Sequence, residues 1–137
     1  MFFSKKKIKK EKSYLIKIAA LLVHAAKIDE KYTKKEEEII KKTLLDLGAN
    51  QNELNRLIIN ANNLEEESNQ ILDFTREVKN MNEKEKIEIV KSLWKIIYSN
   101  EDADIYETNL MRRLAGLLYI DNKTMGEIKK QIMSENL

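Results

Sequence analysis

Oxygen-bearing side chains stand at two turns of this sequence, and their types and spacing suit the binding of a cation. Asp29 lies seven residues before Glu36, and Asn100 lies seven residues before Glu107. Each glutamate falls at the third position of a predicted helix, so a turn that folds back would bring it opposite the earlier side chain. Carboxylate and amide oxygens without thiolate or imidazole partners suit Mg²⁺ or Ca²⁺. These four residues are therefore the candidate metal ligands.

The same residues also have a purely structural explanation. Thr33 and Glu36 fit a capping box, in which the hydroxyl and the carboxylate each satisfy a backbone N–H group at the start of a helix. Acidic residues near a helix start are further favoured by the helix dipole. The sequence leaves two interpretations open: capping alone, or a cation site at the two acidic turns.

An EF-hand calcium loop does not fit the second turn. Asn100, Asp102 and Asp104 would occupy the first, third and fifth positions of such a loop. Ile105 then stands where the loop requires glycine, and Met111 stands where it requires a bidentate glutamate. A cation at this turn would need a different arrangement of ligands.

Helices must position both turns. Apolar residues recur at helical spacing through most of the 137-residue chain, which has no proline and 3 glycines. A chain of this length can bury one core. We predict an all-α fold: a single compact domain of about seven helices. The predicted helices span, to within a few residues, 13–28, 33–47, 50–61, 65–79, 82–97, 104–118 and 122–133, with Asn62 and Asn63 as a break and Gly48 as a left-handed helix end.

The two acidic turns belong to an internal repeat with an offset of 71 residues, the separation of Asp29 from Asn100. Apolar positions align at the same offset, as Leu22 does with Leu93. Aligned core positions on both sides of each turn predict a pseudo-two-fold helix-turn-helix arrangement. Helices one and five would form its inner pair, and the alanines of helix one would let neighbouring helices approach closely.

Composition excludes several classes of catalytic site. The chain has no cysteine and a single histidine, His24, which excludes thiolate metal sites, cysteine nucleophiles and sites that need two histidines. His24 aligns with Lys95 in the repeat, so we predict it at the rim of the protein rather than as a ligand. The sequence shows no nucleophile–base pair and no glycine-rich phosphate loop, so we predict no catalytic residues and no enzyme activity.

The first twelve residues are predicted as a basic N-terminal tail or helix start, ahead of a domain that spans 13–137. Residues 5–12 carry six lysines and one glutamate, a local charge of +5 that leaves −3 for the rest of the chain. The alternative to a solvated helix start is a contact with an anionic membrane surface, in which phenylalanines insert among the headgroups. The candidate membrane or partner contacts are Phe2, Phe3, Lys5, Lys6, Lys7, Lys9 and Lys10.

The same charge pattern bears on the location of the protein and argues against binding of nucleic acid. A mildly acidic body argues against a nucleic-acid partner, which needs a basic face. No apolar run approaches the ~20 residues of a membrane-spanning helix. The phenylalanines precede the lysines, which reverses the order of a secretion signal. We therefore expect a cytoplasmic protein, peripheral at most to the inner face of the membrane.

The repeat resembles the tellurite-resistance TerB-like family. In that family an Ala-Asp-Gly motif precedes, by a few residues, a glutamate that starts an apolar helix ending in a Leu-Leu pair. The matching segments here are 28–36 and 99–107, and the second is followed by a helix that ends in Leu117-Leu118. The resemblance covers roughly residues 13–120. Neither glycine of the motif is present, and Asn100 replaces the second aspartate.

The resemblance implies an all-helical, non-catalytic domain that is linked to tellurite and other stress resistance in bacteria. It also implies metal binding through the acidic residues and association with membrane-linked complexes. Two hypotheses follow. The first is a stress-associated interaction module, with an unidentified protein partner and a Mg or Ca ion at its acidic turns. The second is a peripheral membrane adaptor that uses the lysine-rich N-terminus.

Overall fold

The computed structural model describes residues 2–28, 32–67, 71–99 and 105–135, and the side chains of residues 14–28, 32–67, 71–99 and 109–135. Within these ranges the chain forms seven α-helices and one 3₁₀ turn, with no strand. The helices are α1 (Phe2–Lys27), α2 (Lys34–Asp46), α3 (Leu54–Glu67), α4 (Leu72–Lys79), α5 (Glu83–Ser99), α6 (Ile105–Leu117) and α7 (Asn122–Glu135), and the 3₁₀ turn is Gln51–Glu53. The predicted all-α fold is confirmed.

The centre of the domain is formed by α1 and α5. The first contacts α2, α3, α4 and α5, and the second also contacts α2 and α7. Every side chain from Ile18 to Val23 is fully buried, as is Leu93 on α5. A helix that is apolar nearly all round has no face to present to water, so its neighbours must enclose it. Ala19 and Ala20 provide the small side chains that this enclosure requires.

The first helix begins at Phe2 rather than near Ser13. The lysine-rich segment therefore continues the central helix toward the N-terminus. Lysine has a high helix propensity, and residues 2–12 contain neither proline nor glycine to end the helix. The boundary predicted from the start of the apolar pattern was too late, and the alternative that residues 1–12 begin a helix agrees with the structure.

The predicted break at Asn62 and Asn63 is wrong, because α3 continues through both residues. The Asn62 side-chain amide donates to the Ile58 carbonyl at 2.9 Å, one turn back in the same helix. This bond lets an asparagine remain inside a helix instead of ending it. The predicted start of helix four near Glu65 is wrong for the same reason, and α4 begins at Leu72.

The ends of α2 and α6 share one geometry at the 71-residue offset. In each, two backbone N–H groups beyond the helix donate to carbonyls of its last turn, which is the Schellman motif. The bonds are Gly48 to Leu45 (3.0 Å) and Ala49 to Leu44 (2.9 Å) after α2, and Tyr119 to Gly116 (3.4 Å) and Ile120 to Ala115 (3.0 Å) after α6. The left-handed residue is Gly48 (φ 107°) in the first copy and Tyr119 (φ 57°) in the second. The local geometry thus repeats in register, while the two-fold relation between the halves stays a prediction.

Gly48→Ala should destabilise the protein by about 1 kcal/mol or more. Open space surrounds the position, so the cost arises from the positive φ rather than from a clash. Gly116→Ala is the matched control, because Gly116 lies in the last turn of α6 with equally open space and without a positive φ, and alanine there should stabilise by up to about 0.5–1 kcal/mol. Urea unfolding of both variants measures the difference. Changes of the same sign at the two glycines would contradict the assigned backbone conformations.

Candidate functional site

Of the four candidate metal ligands, Glu36 has a described side chain. Asp29 and Asn100 lie outside the described residues, and Glu107 belongs to the first turn of α6, where the backbone alone is described. The predicted approach of the two turns to each other therefore stays a prediction. The surroundings of Glu36 can be compared directly with those of other helix starts in the chain.

Glu36 closes a capping box at the start of α2, as predicted. Its Oε1 accepts the backbone N–H of Thr33 at 2.9 Å and the Thr33 hydroxyl at 2.9 Å. The Glu36 backbone N–H in turn donates to Thr33 Oγ1 at 3.2 Å. The reciprocal bonds satisfy backbone donors that a helix start leaves without intrahelical partners.

Burial distinguishes Glu36 from the other capping groups of the chain. At the start of α5, Asn82 accepts the Glu85 backbone N–H at 2.8 Å and donates its amide to Glu85 Oε1 at 2.6 Å. At α7, Asp121 accepts the Thr124 backbone N–H at 2.7 Å, which lowers the pKa of Asp121. The hydrogen bonds of both caps are exposed, whereas Glu36 is 1% exposed and is the one buried carboxylate among the described residues. Capping does not by itself require a buried acid.

Tyr32 adds to the unusual character of this helix start. Its hydroxyl is buried and forms no hydrogen bond of regular geometry with the described residues, while the nearby Asn62 side chain favours its ionised form. Burial, followed by the charges of Glu37 and Glu36, raises the pKa of Tyr32 to about 12. The charges of both carboxylates therefore disfavour ionisation of the phenol. Negative charge is concentrated where α2 follows the first acidic turn.

Stability should fall as the pH rises from 10 towards 12. A folded-state pKa of about 12 against 10.0 for the free group means that folding favours the neutral phenol of Tyr32. This contribution is complete below pH 10.0 and is lost as the pH rises through about 12. Burial, followed by Glu85, raises the pKa of Tyr14 and acts in the same direction.

Urea unfolding of wild type and Tyr32→Phe at about pH 9 and about pH 11 measures this effect. The wild type should lose more stability between the two pH values than the variant. A variant as sensitive to pH as the wild type would show that Tyr32 does not contribute.

His24 lies at the rim of the core, as predicted, and contacts a carboxylate that is paired with Lys27. Its Nδ1 is 3.3 Å from Glu65 Oε1, and Lys27 Nζ is 3.2 Å from Glu65 Oε2. The Glu65 side chain is 14% exposed, so one nearly buried carboxylate joins α1 to α3. Within the described ranges no group of three or more metal-binding side chains occurs, here or elsewhere. His24 and Lys27 are one turn apart on α1. This spacing places both side chains on one face of the helix, where they can contact the same acidic residue.

A buried contact between hydroxyl groups was missed from the sequence. Thr43 Oγ1 lies 2.6 Å from Ser92 Oγ and connects α2 to α5. Thr43 also bonds the Ile39 carbonyl at 2.8 Å, and Ser92 bonds the Glu88 carbonyl at 3.0 Å. Each hydroxyl has one proton, so one of the two donates to the other across the helices while the second donates to the carbonyl of its own helix. The pair fixes two helices together and does not present an activated nucleophile.

The candidate membrane contacts from Phe2 to Lys10 lie on the N-terminal part of α1, whose side chains are not described. None of the helices in the described ranges is both long enough and apolar enough to cross a membrane. The N-terminal contact stays a prediction.

Comparison with known proteins identifies the family. The family model described as tellurite resistance protein TerB matches residues 15–130, from the buried part of α1 into α7. No curated protein and no solved structure gave a significant match to the chain. The matched range contains both acidic segments, 29–36 and 100–107. An all-helical fold of this length, matched over most of its residues, leads to one conclusion: the chain belongs to the tellurite resistance protein TerB family.

Proposed function

We propose that this tellurite-resistance-associated helical domain is a non-catalytic interaction module and that it binds a divalent cation, Mg²⁺ or Ca²⁺, at its acidic turns. The ligands would be the carboxylates of Asp29, Glu36 and Glu107 and the amide oxygen of Asn100. Family membership supports the association with tellurite resistance. The interaction role and the cation are the further steps of the proposal.

The burial of Glu36 is the observation that carries the cation site. A glutamate is almost never fully buried unless it is paired or hydrogen-bonded, and Glu36 has the hydrogen bonds of its cap. Glu37 follows directly, and Asp29 and Glu30 stand a few residues earlier in the chain. A divalent cation would compensate this accumulation of negative charge and would use the hard oxygen ligands that the segment supplies. The exposed cap at Glu85, which also accepts the Tyr14 hydroxyl at 3.5 Å, provides a comparison within the same protein.

Calorimetric titration with Ca²⁺, Mg²⁺ and Mn²⁺ tests the cation site. Wild type should bind at least one of these ions, and Asp29→Ala and Glu36→Gln should each weaken binding by about tenfold or more, which is 1.4 kcal/mol. Glutamine at position 36 keeps an oxygen that can accept the cap hydrogen bonds, so the helix start is retained. Glu85→Gln, at the exposed cap of α5, is the matched control and should bind as wild type does. Absence of binding by wild type, or equal binding by all four proteins, would end the proposal.

A peripheral membrane adaptor is the second candidate function. The continuation of α1 to Phe2 supports it, because the six lysines then lie on a helical extension of the core. Co-sedimentation with anionic and neutral vesicles tests this with the full chain and a variant in which Lys6, Lys7, Lys9 and Lys10 are glutamine. Anionic vesicles should retain the wild type and lose the variant. Equal retention of both proteins would remove this candidate.

A further inference from the structure

A groove of about 230 Å³ lies between α4 and the end of α6. Its lining includes Leu72 and Leu117 together with Tyr119, and we call it the α4–α6 groove. Leu72 is 38% exposed and the Tyr119 side chain is 68% exposed. The volume is below that of typical small-molecule pockets, about 300–1,000 Å³, and corresponds to one or two side chains of a partner.

The charge on this groove has one sign. Arg76 and Lys79 line it, and no lining residue is acidic. Neither cation forms an ion pair with any of the described residues, and Glu77, which follows Arg76 on α4, is paired with Lys17 at 3.0 Å. Lys79 Nζ lies 4.5 Å from the centroid of the Tyr119 ring. The groove thus combines apolar surface with two cations that no described side chain neutralises.

Tyr119 occupies its position against the local backbone preference. Its φ of 57° is the left-handed conformation, which brings a Cβ close to the following carbonyl oxygen. The equivalent residue of the first copy is Gly48, which has no Cβ. The tyrosine does not offset this strain by burial, since the residue is 68% exposed. A strained and exposed aromatic residue is explained if the ring contacts a ligand.

Gly116 lines the same groove from inside α6, with open space where a Cβ would stand. Glycine inside a helix is destabilising relative to alanine, and nothing packed above Gly116 requires it. Because Gly116 has no side chain, the backbone of a ligand could approach the helix surface closely at this position. Gly116 and Tyr119 are thus two residues of the groove that make the free protein less stable.

We propose that the α4–α6 groove binds an acidic peptide segment of a protein partner. An apolar or aromatic side chain of the peptide packs against Leu72, Leu117 and Tyr119, and its carboxylates pair with Arg76 and Lys79. Tyrosine and arginine are the residue types that carry much of the binding energy at protein interfaces. The inference specifies the partner of the proposed interaction module and rests on that proposal, but it is independent of the cation site.

Fluorescence anisotropy tests this with the full chain and a labelled synthetic twelve-residue peptide in which glutamate pairs alternate with phenylalanine or leucine. Two control peptides have lysine in place of glutamate, or glutamate alone without apolar residues. The titration is done in excess chelator, so that binding of the peptide cannot depend on a divalent cation at the acidic turns. The mixed acidic peptide should bind, with an affinity that falls at high salt. Both control peptides should bind with an affinity at least about tenfold lower.

Three variants locate the binding surface. Arg76→Glu with Lys79→Glu should weaken binding by about tenfold or more. Lys34→Glu with Lys35→Glu makes the same change of charge at exposed positions of α2 and should leave binding unchanged. Tyr119→Gly should weaken binding of the peptide severalfold. The melting temperature of this variant should equal or exceed that of wild type, because glycine adopts a positive φ without strain.

Three results would overturn the inference. The first is a failure of the mixed acidic peptide to bind wild type. The second is equal weakening by the two double charge reversals, which would indicate non-specific attraction. The third is capture by anionic vesicles that depends on Arg76 and Lys79 and prevents binding of the peptide, which would make the groove a lipid contact.

Discussion

Leu22→Ala should lower the free energy of unfolding by about 2–5 kcal/mol. Leu22 is fully buried on α1, and this helix is enclosed by α2, α3, α4 and α5. Truncation leaves a cavity that packed helices on several sides can fill only in part, so lost transfer energy and lost contacts add. Urea unfolding followed by circular dichroism measures the change. Leu93→Ala, at the equivalent position of the second copy and equally buried, should have a cost in the same range.

Ile59→Ala is the control for this prediction. Ile59 is 60% exposed on α3, so its truncation should change stability by less than about 0.5 kcal/mol. Similar losses at Leu22 and Ile59 would mean that α1 is not the centre around which the other helices pack. The comparison depends on burial alone, since both changes remove an aliphatic side chain from the middle of a helix.

Glu36→Ala should destabilise the protein by about 1–3 kcal/mol in excess chelator. The change removes the acceptor for the Thr33 backbone N–H and for its hydroxyl at a buried site, where water cannot replace the carboxylate freely. Glu85→Ala removes the equivalent residue of an exposed cap and should have a cost nearer the lower end of the capping range, about 0.5 kcal/mol. An equal loss of unfolding free energy at the two positions would show that the burial of Glu36 does not contribute to stability.

Adding the cation separates the structural role of Glu36 from its proposed role as a ligand. An ion that binds the folded state stabilises it by about 2.7 kcal/mol at one hundred times its dissociation constant. Wild type and Glu85→Ala should both gain this stability when the chelator is replaced by the ion. Glu36→Ala should gain little, because a ligand is missing. An equal gain in the three proteins would place the ion elsewhere on the surface.

Features encoded within a few residues of sequence were predictable. The capping box from Thr33 to Glu36 and the left-handed Gly48 follow from local hydrogen-bonding rules, and the structure confirms both. The central place of helix one followed from its apolar composition on all sides. The end of α3 was missed because Asn62 can either break a helix or bond back to Ile58, and the choice depends on the surrounding helix rather than on the residue.

Features that depend on packing could not be read from the sequence. The buried contact of Thr43 with Ser92 joins residues 49 positions apart, and the ion pairs of Glu65 reach across to α1. The burial of Glu36 also depends on its neighbours, since the same capping pattern at Glu85 stays exposed. The strained Tyr119 is an intermediate case: the 71-residue register aligns it with Gly48, and that signal was present in the sequence.

The most direct test of the cation site is a titration of the ¹⁵N-labelled protein with Mn²⁺, read as paramagnetic broadening of backbone amide signals. The first signals to broaden should be those of Thr33 to Glu37, and Glu36→Gln should abolish the effect. The amides of Glu83 to Lys86, at the exposed cap of α5, should stay sharp at the same concentration of ion. Broadening centred on Glu65 to Glu67, or broadening near Thr33 that survives in Glu36→Gln, would contradict a cation site built on the buried glutamate.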